Sequence, residues 1–335
     1  MSTELNNLAK AVLANYDINP KTIKVIQSGG IKTVWKFDTD SKSFCLKRLR
    51  QTLEKALFTI NAQNYMAGKG AKVPAIYPTK DGKLYAVLNG ELFVMYQWVV
   101  GKNLYMQNAP DLKQALHAIA AFHRDSAGYH PPENCRVSTK LGRWPHYYTS
   151  VMERLRTWKQ VSTESPNQSL SKAFLANVDS IIKIGEQALS MLEKSSYNDW
   201  VKQVEKQRSL CHQDYGDGNV LLTPEGPYVI DFDSVTYDLP VRDLRKIIVK
   251  RMATRGSWDK DAIHSITRHY SEVNPLTPQQ LQVLYIDLLF PHEFHDTAKN
   301  PFRKNKPTDA SKISKAARFD QSKVKLLESL IQLNS

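Results

Sequence analysis

The pattern of apolar and polar residues changes character near residue 100. Before that point, short apolar runs alternate with turn residues, which is typical of strands joined by tight turns. Five runs are predicted to be strands: residues 23–27, 33–38, 43–49, 83–87 and 92–98. Residues 53–67 have helical spacing and end at Gly68 and Gly70, and residues 5–16 have the same spacing. The first part of the chain is therefore predicted to form a small five-stranded antiparallel sheet with one inserted helix.

Residues after Gly101 have mainly helical spacing. Apolar positions three and four residues apart predict helices over residues 111–124, 170–192, 243–254, 278–289 and 322–333. A polar stretch, residues 162–167, is the predicted flexible loop. A helical part that follows a β-rich part indicates an α+β protein. We expect two lobes, residues 1–97 and residues 98–335.

Two short motifs indicate phosphoryl transfer. The first is His-x-Asp-x-x-x-x-Asn over residues 212–219, and the second places Asp231 and Asp233 at the end of an apolar strand. In such a loop the aspartate lies near an attacking hydroxyl and the asparagine oxygen lies near a metal ion. A carboxylate on the next strand then holds the metal on the nucleotide phosphates. Residues 220–230 are predicted to form a strand, a turn and a strand, which would return Asp231 to Asn219.

The third predicted strand carries a candidate phosphate-binding lysine. Strand alternation places Cys45 and Lys47 on one face of this strand. Lys47 could then reach the α- and β-phosphates of a nucleotide while Cys45 lies over the adenine. Lys47 could also be an ordinary solvent-facing lysine, and its rivals for the phosphate role are Lys32, Lys36 and Arg48.

Two backbone segments are further candidates for nucleotide contacts. Ser28, Gly29 and Gly30 follow the first strand, where glycines allow backbone N–H groups to approach phosphate oxygens closely. Gln97 and Val99 lie at the end of the last strand of the sheet, where an adenine would pair with backbone groups. The structural alternatives are a plain hairpin turn for the first segment and core packing of aromatic residues for the second.

The order of a small β-rich lobe, a short link and a helical lobe with both motifs resembles the aminoglycoside phosphotransferase and choline kinase group. These are small-molecule relatives of the protein kinases. Within that group, residues 58–63, 121–129 and 289–294 resemble the spore coat protein S family of endospore-forming bacteria. The resemblance implies a two-lobed protein-kinase-like fold, ATP and magnesium as cofactors, and a small-molecule hydroxyl group as phosphate acceptor. It also implies spore coat proteins as partners and a location in the mother-cell cytoplasm, with deposition in the spore coat.

The motif positions also predict the roles of individual side chains. Asp214 is the expected catalytic base, and His212 is expected to brace the loop that carries it. Asn219 and Asp231 are the expected magnesium ligands, because oxygen ligands suit this hard cation. The other acidic residues of the motifs, which either support the site or are solvated, are Asp217 and Asp233.

The predicted helix at residues 53–67 departs from the kinase pattern. A glutamate that orients the phosphate-binding lysine is expected near Thr59 or Ile60, but no acidic residue stands there. Either Glu54 serves from a shifted helix, or an uncharged amide replaces it, for which the candidates are Asn61 and Gln63. This departure leaves open an alternative to enzymatic activity. The chain could be a catalytically weak or inactive kinase-fold protein with a structural or assembly role in the spore coat.

Composition narrows the class of protein. The 335 residues are 41% hydrophobic and 24% charged, with neither a membrane-length apolar run nor an N-terminal secretory pattern. No membrane partner is therefore expected. The three cysteines lack metal-ligand spacing, which fits a reduced cytosolic protein.

The net charge of +13 bears on the choice of partner. It either favours an anionic partner or reflects lysines scattered over solvated helices. Aminoglycosides are polycations that need an acidic cleft, so we expect an acceptor that is not a polycation. In the resembled group, acceptor contacts come from the helical lobe, which points to residues 123–129 and 293–296. Nucleic-acid binding is not expected, because no basic and aromatic RNA-binding motif is present; such binding would weaken steeply with salt.

Overall fold

The protein combines antiparallel sheets with many helices. The computed structural model describes residues 2–29 and 32–334. Helices account for 54% of the protein, and the predicted α+β class is confirmed. The chain forms two compact units, Met1–Thr139 with Gln207–Tyr237 and Lys140–Lys206 with Asp238–Ser335. The predicted lobes, residues 1–97 and 98–335, divide the chain differently, because the first unit also includes the segment with both acidic motifs. That division stays a prediction.

A six-stranded antiparallel sheet forms the centre of the first unit. Its strands are β1 (Thr22–Gly29), β2 (Lys32–Asp38), β3 (Ser43–Leu49), β4 (Ile76–Tyr77), β5 (Ala86–Leu88) and β6 (Glu91–Gln97). The strand order is β1-β2-β3-β6-β4, and β5 pairs with β6. Every second side chain of β2 is buried, as expected for a strand with one face against a core. Trp35 and Phe37 of β2 pack there with Phe44 and Phe93.

The sheet has one strand more than the five that the sequence predicts. The additional strand, β4, consists of two residues that pair with Tyr96 and Met95 of β6. A run of two residues carries no periodicity, so the local pattern does not indicate a strand there. β4 therefore forms because it pairs with β6, and not because its two residues have an intrinsic preference for a strand. The strand predicted at residues 83–87 is also displaced, since β5 begins at Ala86.

The remaining elements of the first unit are helices and two small sheets. The described helices are α1 (Ser2–Leu13), α2 (Leu53–Gly68) and α3 (Ala109–Asp125). A three-stranded sheet consists of β7 (Lys102–Asn103), β9 (Val220–Thr223) and β10 (Gly226–Val229). A two-stranded sheet pairs β8 (Leu210–Cys211) with β11 (Thr236–Tyr237). The β9–β10 hairpin coincides with the strand, turn and strand predicted between the two motifs.

The second unit is helical. Its described helices are α4 (Trp144–Glu164), α5 (Ser169–Lys194), α6 (Tyr197–Gln207, whose last residue belongs to the first unit), α7 (Val241–Arg255), α8 (Lys260–Ser271), α9 (Pro278–Leu289), α10 (His292–Lys304), α11 (Ala310–Ser322) and α12 (Val324–Gln332). The apolar stripe of α5 includes Phe174, Val178 and Ile181, which are fully buried. The helix packs with α4, α9 and α11. Among the described residues, no helix is both long and apolar enough to cross a membrane.

The sequence predicts part of this helical unit. The helices α5, α7, α9 and α12 lie where helices are expected, and α9 has the predicted bounds. The helices that the sequence analysis does not predict are α4, α6, α8, α10 and α11. The loop expected at residues 162–167 is shorter, because α4 continues to Glu164 and α5 begins at Ser169.

Candidate active site

A cavity in the first unit brings together most of the predicted nucleotide-site residues. Its volume is about 580 Å³, which is typical of small-molecule sites. Its walls come from β1, β2, β3, the segment after β6, and the β9–β10 hairpin with the residues that follow. The predicted site residues that line it are Cys45, Lys47, Gln97, Val99, Asn219 and Asp231. Lys47 and Asp231 meet there although they are 184 positions apart in the chain.

Lys47 on β3 is paired with two carboxylates. Its side chain is 9% exposed, and Nζ lies 2.7 Å from Oδ1 of Asp231 and 2.5 Å from Oδ1 of Asp233. A largely buried ammonium group requires such partners, because it loses hydration that must be replaced. The two aspartates therefore hold the Lys47 ammonium group at the cavity wall.

Lys32, at the start of β2, contacts the same two aspartates. Its Nζ lies 3.2 Å from Oδ2 of Asp231 and 3.4 Å from Oδ2 of Asp233. Burial alone would lower the pKa of Lys32, but the two carboxylates outweigh burial and raise that pKa. Burial alone would raise the pKa of Asp231, but Lys47 and Lys32 hold that pKa well below its usual range. Lys32 and Asp231 are therefore both charged at neutral pH.

The β9–β10 hairpin connects the two motifs. Val220 pairs with Val229 in the hairpin, and the backbone N–H of Ile230 donates to the carbonyl oxygen of Asn219 at 3.0 Å. This pairing places the end of the first motif beside the start of the second. Asn219 and Asp231 consequently lie on the same cavity wall.

The backbone at Asp231 turns sharply out of the hairpin. Its φ is 66°, a left-handed conformation that is uncommon outside glycine but tolerated best by Asp and Asn. A short 3₁₀ helix, Phe232–Ser234, follows directly, and Gln51 donates its side-chain N–H to the carbonyl oxygen of Asp233 at 2.6 Å. The turn directs the carboxylates of Asp231 and Asp233 to the same lysine, Lys47.

Asn219 presents its amide oxygen as the atom that can accept. The Nδ2 group donates to the backbone carbonyl of Asp214 at 2.7 Å, and the backbone N–H of Asn219 donates to Gly216 at 2.9 Å. Because the Nδ2 group donates to the loop backbone, the Oδ1 atom of Asn219 can accept a contact from a ligand.

The loop that carries Asp214 is anchored on both sides. The Tyr215 hydroxyl donates to the carbonyl of Ala115 at 2.7 Å, and the His212 ring nitrogen Nε2 lies 2.9 Å from the carbonyl of Ile230. His212 thus contacts the loop backbone, as expected of a bracing residue. The side chain of Asp214 is exposed to solvent and does not line the nucleotide-site cavity.

Asp217, whose role the sequence left open, has a structural contact. Its Oδ1 accepts the backbone N–H of Met106 at 3.0 Å. This bond ties the first motif to the segment that precedes α3. Asp217 therefore supports the loop through the backbone of a neighbouring segment.

The segment after β6 passes along the cavity. The backbone N–H groups of Gln97 and Trp98 donate to Ala75 and Ser43 at 2.8 Å and 3.2 Å. Within the described chain, the Val99 backbone N–H donates to no other residue, so it remains available to a ligand. The segment then continues to Gly101, where an added Cβ would lie 2.8 Å from the carbonyl oxygen of Leu222. Only glycine permits this close approach to the hairpin.

The remaining predicted nucleotide contacts have different environments. Cys45 lines the cavity, and burial raises the pKa of its thiol to about 12, so the thiol is neutral. Ser28 and Gly29 are exposed at the end of β1 and pair with the start of β2. Gly30, the third residue of this predicted turn, lies outside the described residues.

Helix α2 offers no acidic partner to Lys47. Glu54 is exposed at its first turn. The side-chain amide of Asn61 donates to Leu57 at 2.8 Å, and that of Gln63 donates to Pro74 at 2.7 Å. None of these three residues takes the place of the missing glutamate. Asp233 pairs with Lys47 instead. The role of Asp233 is open in the sequence, where the Asp-x-Asp spacing is the available signal.

The donor set of the cavity fits a magnesium–nucleotide complex. Asp231 supplies carboxylate oxygens and Asn219 an amide oxygen, and magnesium prefers oxygen ligands. Lys47 and Lys32 supply two ammonium groups, which suit the negative charge of phosphates. The chemistry of the residues is therefore consistent with the roles that the motifs predict.

Comparison with known proteins identifies the family. The chain belongs to the family described as "Spore coat putative kinase YutH", whose family model matches residues 10–329. Spore coat protein S of Bacillus subtilis (strain 168) is 29% identical over 293 residues, which cover 88% of this chain and 83% of that protein. The predicted resemblance to the spore coat protein S and aminoglycoside phosphotransferase families is confirmed.

Solved structures with the same fold are phosphotransferases. An aminoglycoside phosphotransferase from Alicyclobacillus acidocaldarius matches with a TM-score of 0.75 and 17% identity, over 97% of this chain and 96% of that one. Spectinomycin phosphotransferase in complex with ADP and spectinomycin matches with a TM-score of 0.63 and 16% identity, over 98% of both chains. Amicoumacin kinase in complex with AMP-PNP and Ca²⁺ matches with a TM-score of 0.59 and 14% identity, over 99% of this chain and 100% of that one. At these identities the comparison establishes the kinase-like fold.

Proposed function

We propose that the protein is an ATP- and magnesium-dependent phosphotransferase that acts on a hydroxyl group of a small molecule and is associated with the spore coat. The observation that carries the proposal is the convergence of Lys47, Asn219 and Asp231 on one cavity. Membership of the YutH family and the similarity to spore coat protein S support the association with the coat. The nucleotides ADP and AMP-PNP in structures of the same fold support ATP as phosphate donor.

In this proposal, the first unit binds the nucleotide. The adenine lies between Cys45 and the segment after β6, where the Val99 backbone N–H offers a hydrogen bond. Lys47 binds the α- and β-phosphates, and Lys32 adds a second ammonium group near them. Gly29 and its neighbours at the end of β1 provide backbone N–H groups that cover the phosphates.

Asn219 and Asp231 would hold magnesium. When bound, the ion neutralises charge that develops on the phosphates during transfer. The contact between Lys47 and Asp233 would keep the ammonium group in place while Asp231 holds the ion.

Asp214 orients the acceptor hydroxyl and takes its proton. Its exposed carboxylate stands on a loop that Asn219 and Tyr215 fix in place. Phosphoryl transfer passes through a loose transition state, so the orientation of the hydroxyl contributes more than strong basicity. The acceptor is expected not to be a polycation, because the chain carries a net charge of +13.

Replacement of the proposed base tests this function. Asp214→Asn keeps the size and hydrogen-bonding capacity of the side chain but cannot accept the proton. We expect ATP turnover to fall by roughly 10²–10⁴-fold, while Mg-ATP binding measured by calorimetry is retained. Glu225→Gln, an exposed change on the β9–β10 turn, should alter neither. Turnover in Asp214→Asn equal to that of the unchanged protein would refute the proposal.

A non-catalytic role in the coat is the second candidate. It is favoured by the absence of a glutamate partner on α2 and by the direct pairing of both site lysines with Asp231, the proposed carboxylate ligand of the metal. If these ion pairs are permanent, the folded protein will show no change in melting temperature at millimolar Mg-ATP. A shift that depends on magnesium would exclude this candidate as the full explanation.

A further inference from the structure

A second cavity, of about 590 Å³, lies wholly within the second unit. It is lined by one face of α7, together with residues of α4 and α10. The basic residues that α7 contributes are Arg242, Arg245, Lys246 and Lys250. Their spacing of three, four and eight positions places them on one helical face. Like charges at such spacing repel each other, and a bound anion would reduce this repulsion.

Arg242 carries an unsatisfied donor on this basic face. Its Nη1 atom is buried and has no hydrogen-bond partner among the described residues. No ion pair joins Arg242 to a described carboxylate. Burial lowers the pKa of Arg242, and the positive charge of the nearby Arg245 lowers it further. A buried guanidinium donor without an acceptor is costly. A shift of the Arg242 side chain toward an oxyanion in the adjoining cavity would provide that acceptor.

Arg245 is held in place by a buried network. Its Nε lies 2.8 Å from Oδ2 of Asp287. The other oxygen of Asp287 accepts the Tyr148 hydroxyl at 2.7 Å and lies 2.9 Å from Nε2 of His292. Asp287 forms its ion pair with Arg245, and its charge offsets only part of the burial and repulsion that Arg242 experiences. The contact through Nε also leaves the terminal amino groups of Arg245 for a second partner.

The other groups around the cavity set limits on the ligand. Glu293 and Asp296 also line it, and Asp296 lies 3.3 Å from Lys299 and 3.4 Å from His295. Burial lowers the pKa of His292 to about 4, so this ring is neutral. Tyr147, 39% exposed, presents an aromatic ring. The cavity therefore combines a cationic face, an acidic margin and an apolar ring surface.

We propose that this cavity is a binding site for a small organic oxyanion, a compound whose carboxylate or phosphate group is held by Arg242 and Arg245 against the ring of Tyr147. Guanidinium groups can donate two parallel hydrogen bonds to a carboxylate or phosphate group, which ammonium groups cannot do. The size of the cavity is that of a metabolite site rather than of a lone ion. The site lies outside the nucleotide-binding cavity. Its acidic margin falls in residues 293–296, which the resemblance suggests for acceptor contacts, whereas Arg242 and Arg245 have no role in the nucleotide site proposed above.

The charge of the second unit is consistent with an anionic ligand. This unit contains 27 of the 46 Lys and Arg residues but only 18 of the 33 Asp and Glu residues. Nine of the 13 net positive charges therefore belong to it. An excess of this kind raises the local concentration of small anions around the cavity.

Calorimetric titration of the full-length protein tests the site. The probes are tartrate, a hydroxyl-bearing dicarboxylate, and inorganic phosphate, each at constant ionic strength and without nucleotide. We expect Arg242→Gln to weaken tartrate binding by roughly tenfold or more, because it removes a charge-assisted contact. Arg255→Gln is the matched control, since it removes the same charge from the same helix, at a position that pairs with Asp259 and does not line the cavity.

A second readout separates binding from folding. Arg242→Gln removes a buried and unpaired charge, so its melting temperature should equal or exceed that of the unchanged protein while binding is lost. Equal affinities of Arg242→Gln and Arg255→Gln for both probes, or no binding to the unchanged protein, would overturn the inference. Stronger binding of tartrate than of phosphate supports the organic nature of the ligand. Because nucleotide is absent, these outcomes are independent of the proposed phosphotransferase function.

Discussion

Two lysines and two aspartates share one cluster in the first unit, and this sharing explains how the protein can lack the usual helix glutamate. Lys47 and Lys32 both contact Asp231 and Asp233. A carboxylate that orients the phosphate-binding lysine is needed because a mobile ammonium group would bind phosphate poorly. Asp233 lies only two positions from the proposed metal ligand, so one short segment would provide both functions.

Removal of Lys47 should weaken nucleotide binding. Lys47→Ala eliminates the ammonium group proposed to bind the α- and β-phosphates, and Lys32 alone remains beside the two aspartates. We expect the affinity for Mg-ATP, measured by calorimetry, to fall by roughly tenfold or more. Lys24→Ala on β1 is the control, because this lysine is exposed and distant in the strand pattern from the site. Unchanged affinity in Lys47→Ala would show that Lys47 does not bind phosphate.

The buried His292 makes stability depend on pH. Burial lowers its folded-state pKa to about 4, whereas an unfolded histidine has a pKa of about 6.5. Between these values the unfolded chain binds a proton that the folded protein does not bind. The free energy of unfolding should therefore fall as the pH decreases from about 6.5 to about 4, with a slope approaching about 1.4 kcal/mol per pH unit from this residue.

Comparison of two histidine variants checks this slope. His292→Gln should remove this component from urea unfolding curves recorded between pH 4 and pH 6.5. The exposed His264 has no such environment, so His264→Gln should retain the slope. The charged groups that act on His292 are Arg245, Asp287 and Lys323, and the Tyr148 ring packs against it. His264→Gln leaves these groups unchanged. Parallel pH profiles of His292→Gln and the unchanged protein would contradict the assignment of a neutral, buried imidazole.

At the scale of elements, the β9–β10 hairpin determines the relation between the two motifs. Its turn includes Gly226 with a φ of 113°, and the Thr223 hydroxyl donates to the carbonyl of Gly226 at 2.9 Å. An added Cβ at Gly226 would meet no neighbour within 4 Å. The cost of a larger residue there is consequently conformational rather than steric.

Alanine at the hairpin turn should destabilise the protein. We expect Gly226→Ala to lower the free energy of unfolding by roughly 1–2 kcal/mol, because L-residues avoid positive φ. Gly68→Ala, at the end of α2 with an ordinary backbone and open space, should instead raise it by roughly 0.5–1 kcal/mol. Chemical denaturation measures both. Equal effects of the two substitutions would show that the turn does not require glycine.

The elements also show how far the sequence predicts this fold. The periodic segments β2, β3, α2 and α9 are predictable, because each buries one face and its apolar residues follow the period of the element. The strand β4 is not predictable from its local sequence, because it forms by pairing with β6. The helix α11 was not predicted because small residues such as Ala316 and Ala317 form much of its buried face. These carry little of the apolar signal on which periodicity depends.

The residues of the candidate site were only partly predictable from the sequence. Spacing within each motif is local, so Asn219, Asp231 and Lys47 could be named from the sequence. The partner of Lys47 could not, because it depends on a left-handed backbone at Asp231 and on contacts between residues far apart in the chain. The cluster of two lysines is likewise a product of tertiary structure.

At the scale of the whole molecule, family, fold and charge distribution provide separate constraints. Membership of the YutH family relates the chain to the spore coat. The fold relates it to phosphotransferases whose solved structures contain nucleotides. The positive charge of the second unit bears on the ligand proposed for its cavity, and it favours an acidic compound over a polycation. Together these constraints support the proposed association with the spore coat and the proposed anionic ligand of the second unit.

Titration of ATP into the protein, with and without magnesium, tests the proposed nucleotide site most directly. Asp231→Asn is the decisive variant, because asparagine tolerates the left-handed backbone of this position but lacks the carboxylate charge. Asp40→Asn, an exposed change on the same unit, is its control. We expect the unchanged protein and Asp40→Asn to bind ATP more tightly with magnesium, and Asp231→Asn to lose this dependence. Magnesium-dependent binding that persists undiminished in Asp231→Asn would contradict the assignment of the site.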